Sequence, residues 1–160
     1  MRRSDRQITE PARIHAIVEA CDVCRLGLCD GRTPYVVPMN FGYRFDEKER
    51  LTLYFHCHGE GQRLSMLQAN PWVCFEMDCG HRLVGGETPC GCSMDYASVI
   101  GYGTAEVVRE PEEKLEALAL ITGRFFDFPP QTLAAMEHSG VMVLKVTGDT
   151  YTAKQRGTQF

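Results

Sequence analysis

The stretch Leu53-Tyr54-Phe55-His56-Cys57-His58-Gly59-Glu60-Gly61-Gln62-Arg63 gathers two imidazoles, a thiol, two glycines and a guanidinium. A glycine-bearing loop that runs into a helix N-terminus offers free backbone N–H groups and the positive end of a dipole, which suits a phosphate. Arg63 would add a forked cationic donor. The glycine spacing and the Lys-Ser/Thr pair of a Walker loop are missing, so a surface loop with a solvated arginine stands beside the phosphate reading. His56 and His58 are two residues apart on a strand and therefore share a face. Structural, acid–base and metal-binding roles are all open to them. Asn40, flanked by Met39 and Phe41, could present its amide to a polar ligand edge or stabilise a bulge.

Cysteine is the second chemical resource, at positions 21, 24, 29, 57, 74, 79, 90 and 92. Without an export signal, free thiols in a reducing compartment are the first expectation. Cys21-x-x-Cys24 has metal spacing but no second pair of similar spacing, and Cys90-x-Cys92 is tighter than the common pattern. A zinc or iron–sulfur site on Cys21, Cys24, Cys90 and Cys92 is a rival reading, and no metal is expected. Cys74 lies in an apolar run, where the thiol packs as a small hydrophobe. Ser98 lacks the Gly-x-Ser-x-Gly elbow of a hydrolase nucleophile, so it reads as a ligand hydrogen-bonder or a strand filler. Lys154 and Arg156 follow the last strand as a solvated terminus or as cations near a site.

These groups need elements to position them. Apolar residues Ile14, Ile17, Val18 and Cys21 fall at helical spacing, predicting a helix over 9–21 with Thr9 as its cap and Pro11 in its first turn. A short strand over 24–29 ends at the turn pair Asp30-Gly31. A longer strand over 34–45 contains Pro38, which marks an edge or a bulge. A charged turn over 46–50 and a strand over 51–56 complete a hairpin. A helix over 62–69 stops at Asn70-Pro71, with Leu64 and Leu67 inward. A strand over 72–78 is followed by a glycine-rich, aperiodic loop over 79–94, which reads as a lid. Then come a long strand over 95–108 and a helix from Pro111 with Leu115, Leu118, Ala119 and Thr122 on one face. Another helix follows Pro129-Pro130, and strands over 141–146 and 149–154 pair with each other. Six or seven strands joined mostly as hairpins, with helices outside, predict a small antiparallel barrel and exclude a doubly wound parallel sheet.

The chain has 160 residues, which bounds it to one domain over 1–160. About 69% of the unfolded surface can be buried at this size, enough for a real core. The net charge of −4 argues against a nucleic-acid partner. No apolar run reaches the length of a membrane span, and the polar N-terminus lacks a signal peptide, so a cytoplasmic location is expected.

Read together, the segments resemble the flavin-binding split-barrel family that includes pyridoxamine 5′-phosphate oxidase, and within it the nitroimidazole-resistance branch. The matching stretches are Cys24-Arg25-Leu26-Gly27-Leu28, Pro34-Tyr35-Val36-Val37-Pro38-Met39-Asn40-Phe41-Gly42-Tyr43 and Leu53-Tyr54-Phe55-His56. They continue in order through Gly61-Gln62-Arg63-Leu64, Asn70-Pro71-Trp72-Val73-Cys74-Phe75-Glu76, Tyr96-Ala97-Ser98-Val99-Ile100-Gly101-Tyr102-Gly103 and Thr152-Ala153-Lys154. The resemblance implies a mainly β fold, a six-stranded antiparallel split barrel with peripheral helices. It also implies a homodimer with FMN between the subunits. Arg63 falls on the family's phosphate-binding position, with Cys57, His58, Gly61 and Leu64 around it. Met39, Asn40 and Phe41 match the segment lining the isoalloxazine, largely through backbone. His56 matches the histidine near the flavin, a candidate proton donor and catalytic residue. Ser98 and Val99 match the strand bordering the cofactor, and Lys154 a late basic residue. The chain departs from the branch at Cys57-His58, where small residues are usual. It also lacks recognisable counterparts of the additional groups that bind pyridoxamine phosphate, which disfavours the vitamin-B6 oxidase reaction. The expectation is an FMN-dependent oxidoreductase passing electrons from a donor such as NAD(P)H to a small organic acceptor, for instance a nitroaromatic. The alternative is a non-catalytic binding, storage or sensor protein for flavin or haem on the same barrel.

Overall fold

A computed structural model describes residues 3–129, 132 and 140–157. Its strands are β1 (Gln7–Ile8), β2 (Cys24–Cys29), β3 (Pro34–Met39), β4 (Gly42–Phe45), β5 (Leu51–His58), β6 (Trp72–Val84), β7 (Ser93–Val107) and β8 (Val141–Arg156). The helices are α1 (Pro11–Ala20), α2 (Gln62–Ala69) and α3 (Pro111–Thr122). All pairings are antiparallel, in the order β3-β2-β6-β7-β8-β5-β4, with β1 added on β8. The sheet is an open split barrel. Its terminal strands, β3 and β4, are consecutive in the chain and separated by Asn40 and Phe41 alone. A two-residue connection spans only about 10 Å, so the sheet must curl until its edges approach at that seam.

The eight-stranded sheet corrects the six expected strands. The apolar stretch over 34–45 breaks into β3 and β4 at the seam, and β1 is too short to leave a periodic signal. Residues 141–154 do not form two paired strands but lie in one continuous strand. Its irregularity is absorbed as a register shift, with Tyr102 opposite Thr150 and Gly103 opposite Gly148. A Cβ on Gly101 would lie 2.7 Å from the Thr150 carbonyl oxygen and overlap the Phe75 ring. The missing side chain there makes room for protein packing rather than for a ligand.

The expected lid is a β-hairpin arm. Strands β6 and β7 pair on through Val84↔Ser93, leaving residues 85–92 as its tip. Buried Asp95 ties the arm down, accepting from Arg82 at 2.6 Å and from Arg156 at 3.3 Å. The helix expected after Pro129-Pro130 lies almost wholly outside the described residues.

The core follows the predicted periodicities. Ile14, Ile17, Val18 and Cys21 of α1 and its C-cap pack with Leu26, Leu53, Phe55, Phe75, Met77, Val99 and Leu144 from alternate strand positions. Each fully buried aliphatic of this kind contributes about 1.5–3 kcal/mol of transfer free energy. Glu10, not Thr9, is the N-cap of α1, and it makes no side-chain cap bond. A second cluster lies under α3, where Ala117, Leu118 and Ile121 cover Tyr54, Val108 and Val143. The buried face of α3 is therefore rotated from the predicted one: Ala119 is exposed. Among the described residues no helix is long and apolar enough to cross a membrane.

Candidate functional site

Helix α2 begins at Gly61, whose φ of 123° falls where side chains are strained. As N-cap it has no side-chain oxygen to give; its carbonyl accepts from the Leu64 N–H at 3.1 Å, which leaves the Gln62 and Arg63 N–H groups to an external acceptor. Arg63, in that first turn, is half-buried. Its Nη1 donates to the thioether sulfur of Met39 at 3.4 Å, a weak acceptor, and its Nε is buried with no partner. No carboxylate among the described residues pairs with this guanidinium. Beside it lies Cys57, whose thiol is pushed up by burial and pulled down by the Arg63 charge. Met39 from the end of β3, Cys57 from β5, and Gly61, Arg63 and Leu64 from α2 thus converge on one cationic corner. A half-buried cation with a buried, orphaned Nε donor is costly unless an anion completes it, so a phosphate fits this corner.

The other face of β5 carries His56. Strand alternation sends Leu53, Phe55 and Cys57 into the barrel and Tyr54, His56 and His58 toward the opposite side. His58 is exposed at the strand end, opposite Val141. His56 and Asn40 line a cavity of about 290 Å³ with Leu118, Ile121 and Thr122 of α3 and with Phe125 and Phe126 beyond it. Asn40 sits in the seam, and its Nδ2 donates to the Asp22 carbonyl at 3.0 Å. The amide therefore pins the β3–β4 junction to the end of α1, while its oxygen has no partner among the described residues.

Two expected site residues turn inward. The Phe41 side chain is fully buried against Phe55 and Tyr43, so only its backbone can line the seam. Val99 is likewise fully buried, because odd-numbered positions of β7 face the core. Ser98 and Lys154 are paired across β7 and β8 on the outer face. They line a separate cleft of about 240 Å³ with Ile100, Tyr102, Thr150, Tyr151 and Thr152. The single chain therefore unites Met39, Cys57, Gly61, Arg63 and Leu64 at one corner and Asn40 with His56 in the neighbouring cavity, but leaves Ser98 and Lys154 on their own face.

The wall made by Leu118, Ile121, Thr122, Phe125 and Phe126 was not anticipated. Its signal in the sequence is the run Arg124-Phe125-Phe126-Asp127-Phe128, three aromatics just past a helix end. Arg124 is the other group missed. Its guanidinium stacks on Phe41 and Tyr43, at 4.6 and 5.0 Å from their ring centroids. It also donates to the carbonyls of Glu19 at 3.0 Å and Cys21 at 2.6 Å and to the Glu19 carboxylate at 3.0 Å. The rival four-cysteine site is not assembled. Cys21 and Cys24 are buried, Cys90 and Cys92 are exposed on the hairpin tip, and no cluster of three metal-binding side chains occurs among the described residues.

Residues 10–155 match the family model described as pyridoxamine 5′-phosphate oxidase. The chain is similar to the crystal structure of a candidate 5-nitroimidazole antibiotic resistance protein from Bacteroides thetaiotaomicron. The two share 36% identity over 93% of this chain and 86% of that one, with a TM-score of 0.74. It shares its fold with the FAD and heme binding protein from Mycobacterium smegmatis, at 20% identity and TM-score 0.77 over 97% and 76% of the two chains. The same holds for the flavocytochrome Anf3 from Azotobacter vinelandii, at 17% identity and TM-score 0.76 over 99% and 73%. No curated protein matches the chain.

Proposed function

Because the chain belongs to the pyridoxamine 5′-phosphate oxidase family, we propose that it is an FMN-dependent oxidoreductase that reduces a small organic acceptor, such as a nitroaromatic. The observation that carries this reading is Arg63: a half-buried guanidinium, uncompensated among the described residues, beside an uncapped helix N-terminus. A terminal phosphate supplies what this corner lacks, and the adjacent seam offers backbone at Met39 and Asn40 to a ring system. Bound flavin would supply hydride or electron transfer, drawing on a nicotinamide donor.

The chain's own residues do the remaining work. Arg63 and the first-turn N–H groups of α2 hold the anionic end. Cys57 packs beside that cation as a neutral thiol, since burial pushes its ionisation up. Asn40, fixed by its bond to Asp22, sets the edge of the seam. His56 stands exposed at the mouth of the α3 cavity, where it can give a proton to a reduced acceptor.

A homodimer is part of the proposal. On the outer face of the sheet, Val36, Trp72, Ile100 and Tyr102 are 63%, 50%, 40% and 48% exposed. An apolar face of this kind on one side of a sheet suits a self-complementary contact. Ser98 and Lys154 lie on the same face, so a second copy would bring them to a shared site.

The test is the visible spectrum of the purified protein, followed by turnover of a nicotinamide donor with nitroaromatic and quinone acceptors. Flavin bands with turnover are expected. Flavin without turnover of any donor–acceptor pair would leave a non-catalytic binder. A colourless protein that does not take up added FMN would remove the proposal.

A further inference from the structure

The segment after α3 is held in place by more than its chain connection. The N–H groups of Phe125 and Phe126 both donate to the Thr122 carbonyl, at 2.9 and 2.8 Å, closing the last turn of α3. The adjacent Arg124 is clamped between two aromatic faces and the C-terminal carbonyls of α1. This leaves Phe125 and Phe126 at 37% and 62% exposure on a backbone tied to α3 by those bonds, with Phe128 45% exposed beyond them. Phe126 and Phe128 pair with centroids 5.6 Å apart. Exposed aromatics on a fixed frame, over an apolar cavity with two polar groups, describe a ligand pocket rather than a mobile surface.

We propose that Phe125 and Phe126 are the selectivity wall of the His56 cavity and that the wall admits planar, uncharged one- or two-ring aromatic compounds. This rests on the function proposed above and names the substrate class of the same site. Three features set the class. The cavity of about 290 Å³ is roughly twice the volume that accommodates a benzene ring. Leu118 and Ile121 provide an aliphatic wall, and the phenyl groups provide faces for ring stacking. The polar groups are His56, able to donate or accept, and Asn40. The Asn40 amide nitrogen is spent on the Asp22 carbonyl, so its oxygen is what it can offer. A preferred ligand therefore has an N–H or amino group on one edge and a carbonyl or nitro oxygen on another.

The experiment measures binding of 2-methyl-5-nitroimidazole and of non-planar nitrocyclohexane to the protein as purified, by saturation-transfer NMR. Wild type is compared with Phe125→Leu, Phe126→Leu and a surface control, Leu83→Ala, and flavin retention is read on every sample. The wild type should prefer the planar probe. Each phenylalanine variant should bind it about three- to tenfold more weakly, with nitrocyclohexane, flavin retention and the control unchanged. Three results would overturn the wall: no planar preference in the wild type, unchanged planar binding in both variants, or loss of flavin in step with loss of probe. The last would assign the two rings to cofactor binding. A wild-type protein that takes up no flavin refutes the proposed function alone, because probe binding still decides the wall.

Discussion

Replacing Arg124 by methionine keeps the length and most of the apolar stem of the side chain but removes the guanidinium. Helix α1 has no basic residue in its last turn, so its negative end is neutralised from outside, by this one side chain. Its side chain is only 9% exposed, whereas its carboxylate partner Glu19 is 67% exposed. The ion pair itself is therefore screened and contributes little, about 0.5 kcal/mol. The charge-assisted bonds to the Glu19 and Cys21 carbonyls carry more, about 1 kcal/mol each once water partly replaces the donor. Stacking on Phe41 and Tyr43 adds about 1 kcal/mol. Against this, the Arg124 Nε is buried without a partner, and deleting it returns up to about 1 kcal/mol. The net expectation for Arg124→Met is a loss of about 2–4 kcal/mol, or a fall in Tm of roughly 5–12 °C for a chain of this length. Arg124→Lys should recover less than half, because an ammonium cannot fork between two carbonyls and lie flat on two rings. Urea denaturation monitored by far-UV circular dichroism gives both values. A loss below about 1 kcal/mol for the methionine variant, with an unchanged m-value, would refute the view that this residue ties α3 to α1.

Two further predictions concern titration and thiol chemistry. Glu113 accepts a hydrogen bond from Lys145, which, with Tyr54, holds its carboxyl below the usual value of 4.5. Its contribution is thus present above pH 4.5 and fades as the pH falls through the lower, folded value. Glu113→Gln should cost about 1 kcal/mol at pH 7 and progressively less as the pH is lowered below 4.5 by urea titration, and a loss independent of pH would be inconsistent with this. Of the cysteines, Cys90 and Cys92 are exposed, whereas Cys21 and Cys24 are buried, with burial pushing the Cys24 thiol up to about 12. Iodoacetamide at pH 8 should label Cys90 and Cys92 in the native protein, and Cys21 and Cys24 only after unfolding, as read by peptide mass spectrometry. Native labelling of Cys24 at a comparable rate would contradict the packing.

Local patterns carried the strands and helices well, because α1, β2 and β7 each present a regular period of buried residues and β5 an apolar run buried on both faces. What local pattern could not carry was a consequence of long-range pairing. The break at Asn40 and Phe41 exists because the two ends of the sheet must meet there. Strand β8 continues through Thr147-Gly148-Asp149 because Asp149 is taken up as an extra residue opposite the Tyr102-Gly103 step of β7, and the pairing resumes on both sides. The apparent lid is a hairpin arm because Asp95 binds Arg82 across the arm's own ladder and Arg156 of β8, a residue far away in the chain. The same holds for the site. Arg63 and His56 were legible from their places on a helix start and a strand end. Phe41 and Val99 were expected at the site from the segments that hold them, but strand phase turns their side chains inward. The Phe125–Phe126 wall and the Arg124 clamp follow only from how α3 lies across β5.

The central claim is that Arg63 and the start of α2 hold the phosphate of a flavin. Fluorescence titration of FMN and of riboflavin, which lacks the phosphate, against wild type and Arg63→Ala tests it most directly. The account predicts that the wild type binds FMN at least about tenfold more tightly than riboflavin, the range of a charge-assisted contact, and that this ratio collapses in the variant while riboflavin affinity stays the same. Equal binding of the two flavins by the wild type, or an FMN preference that survives Arg63→Ala, would contradict it.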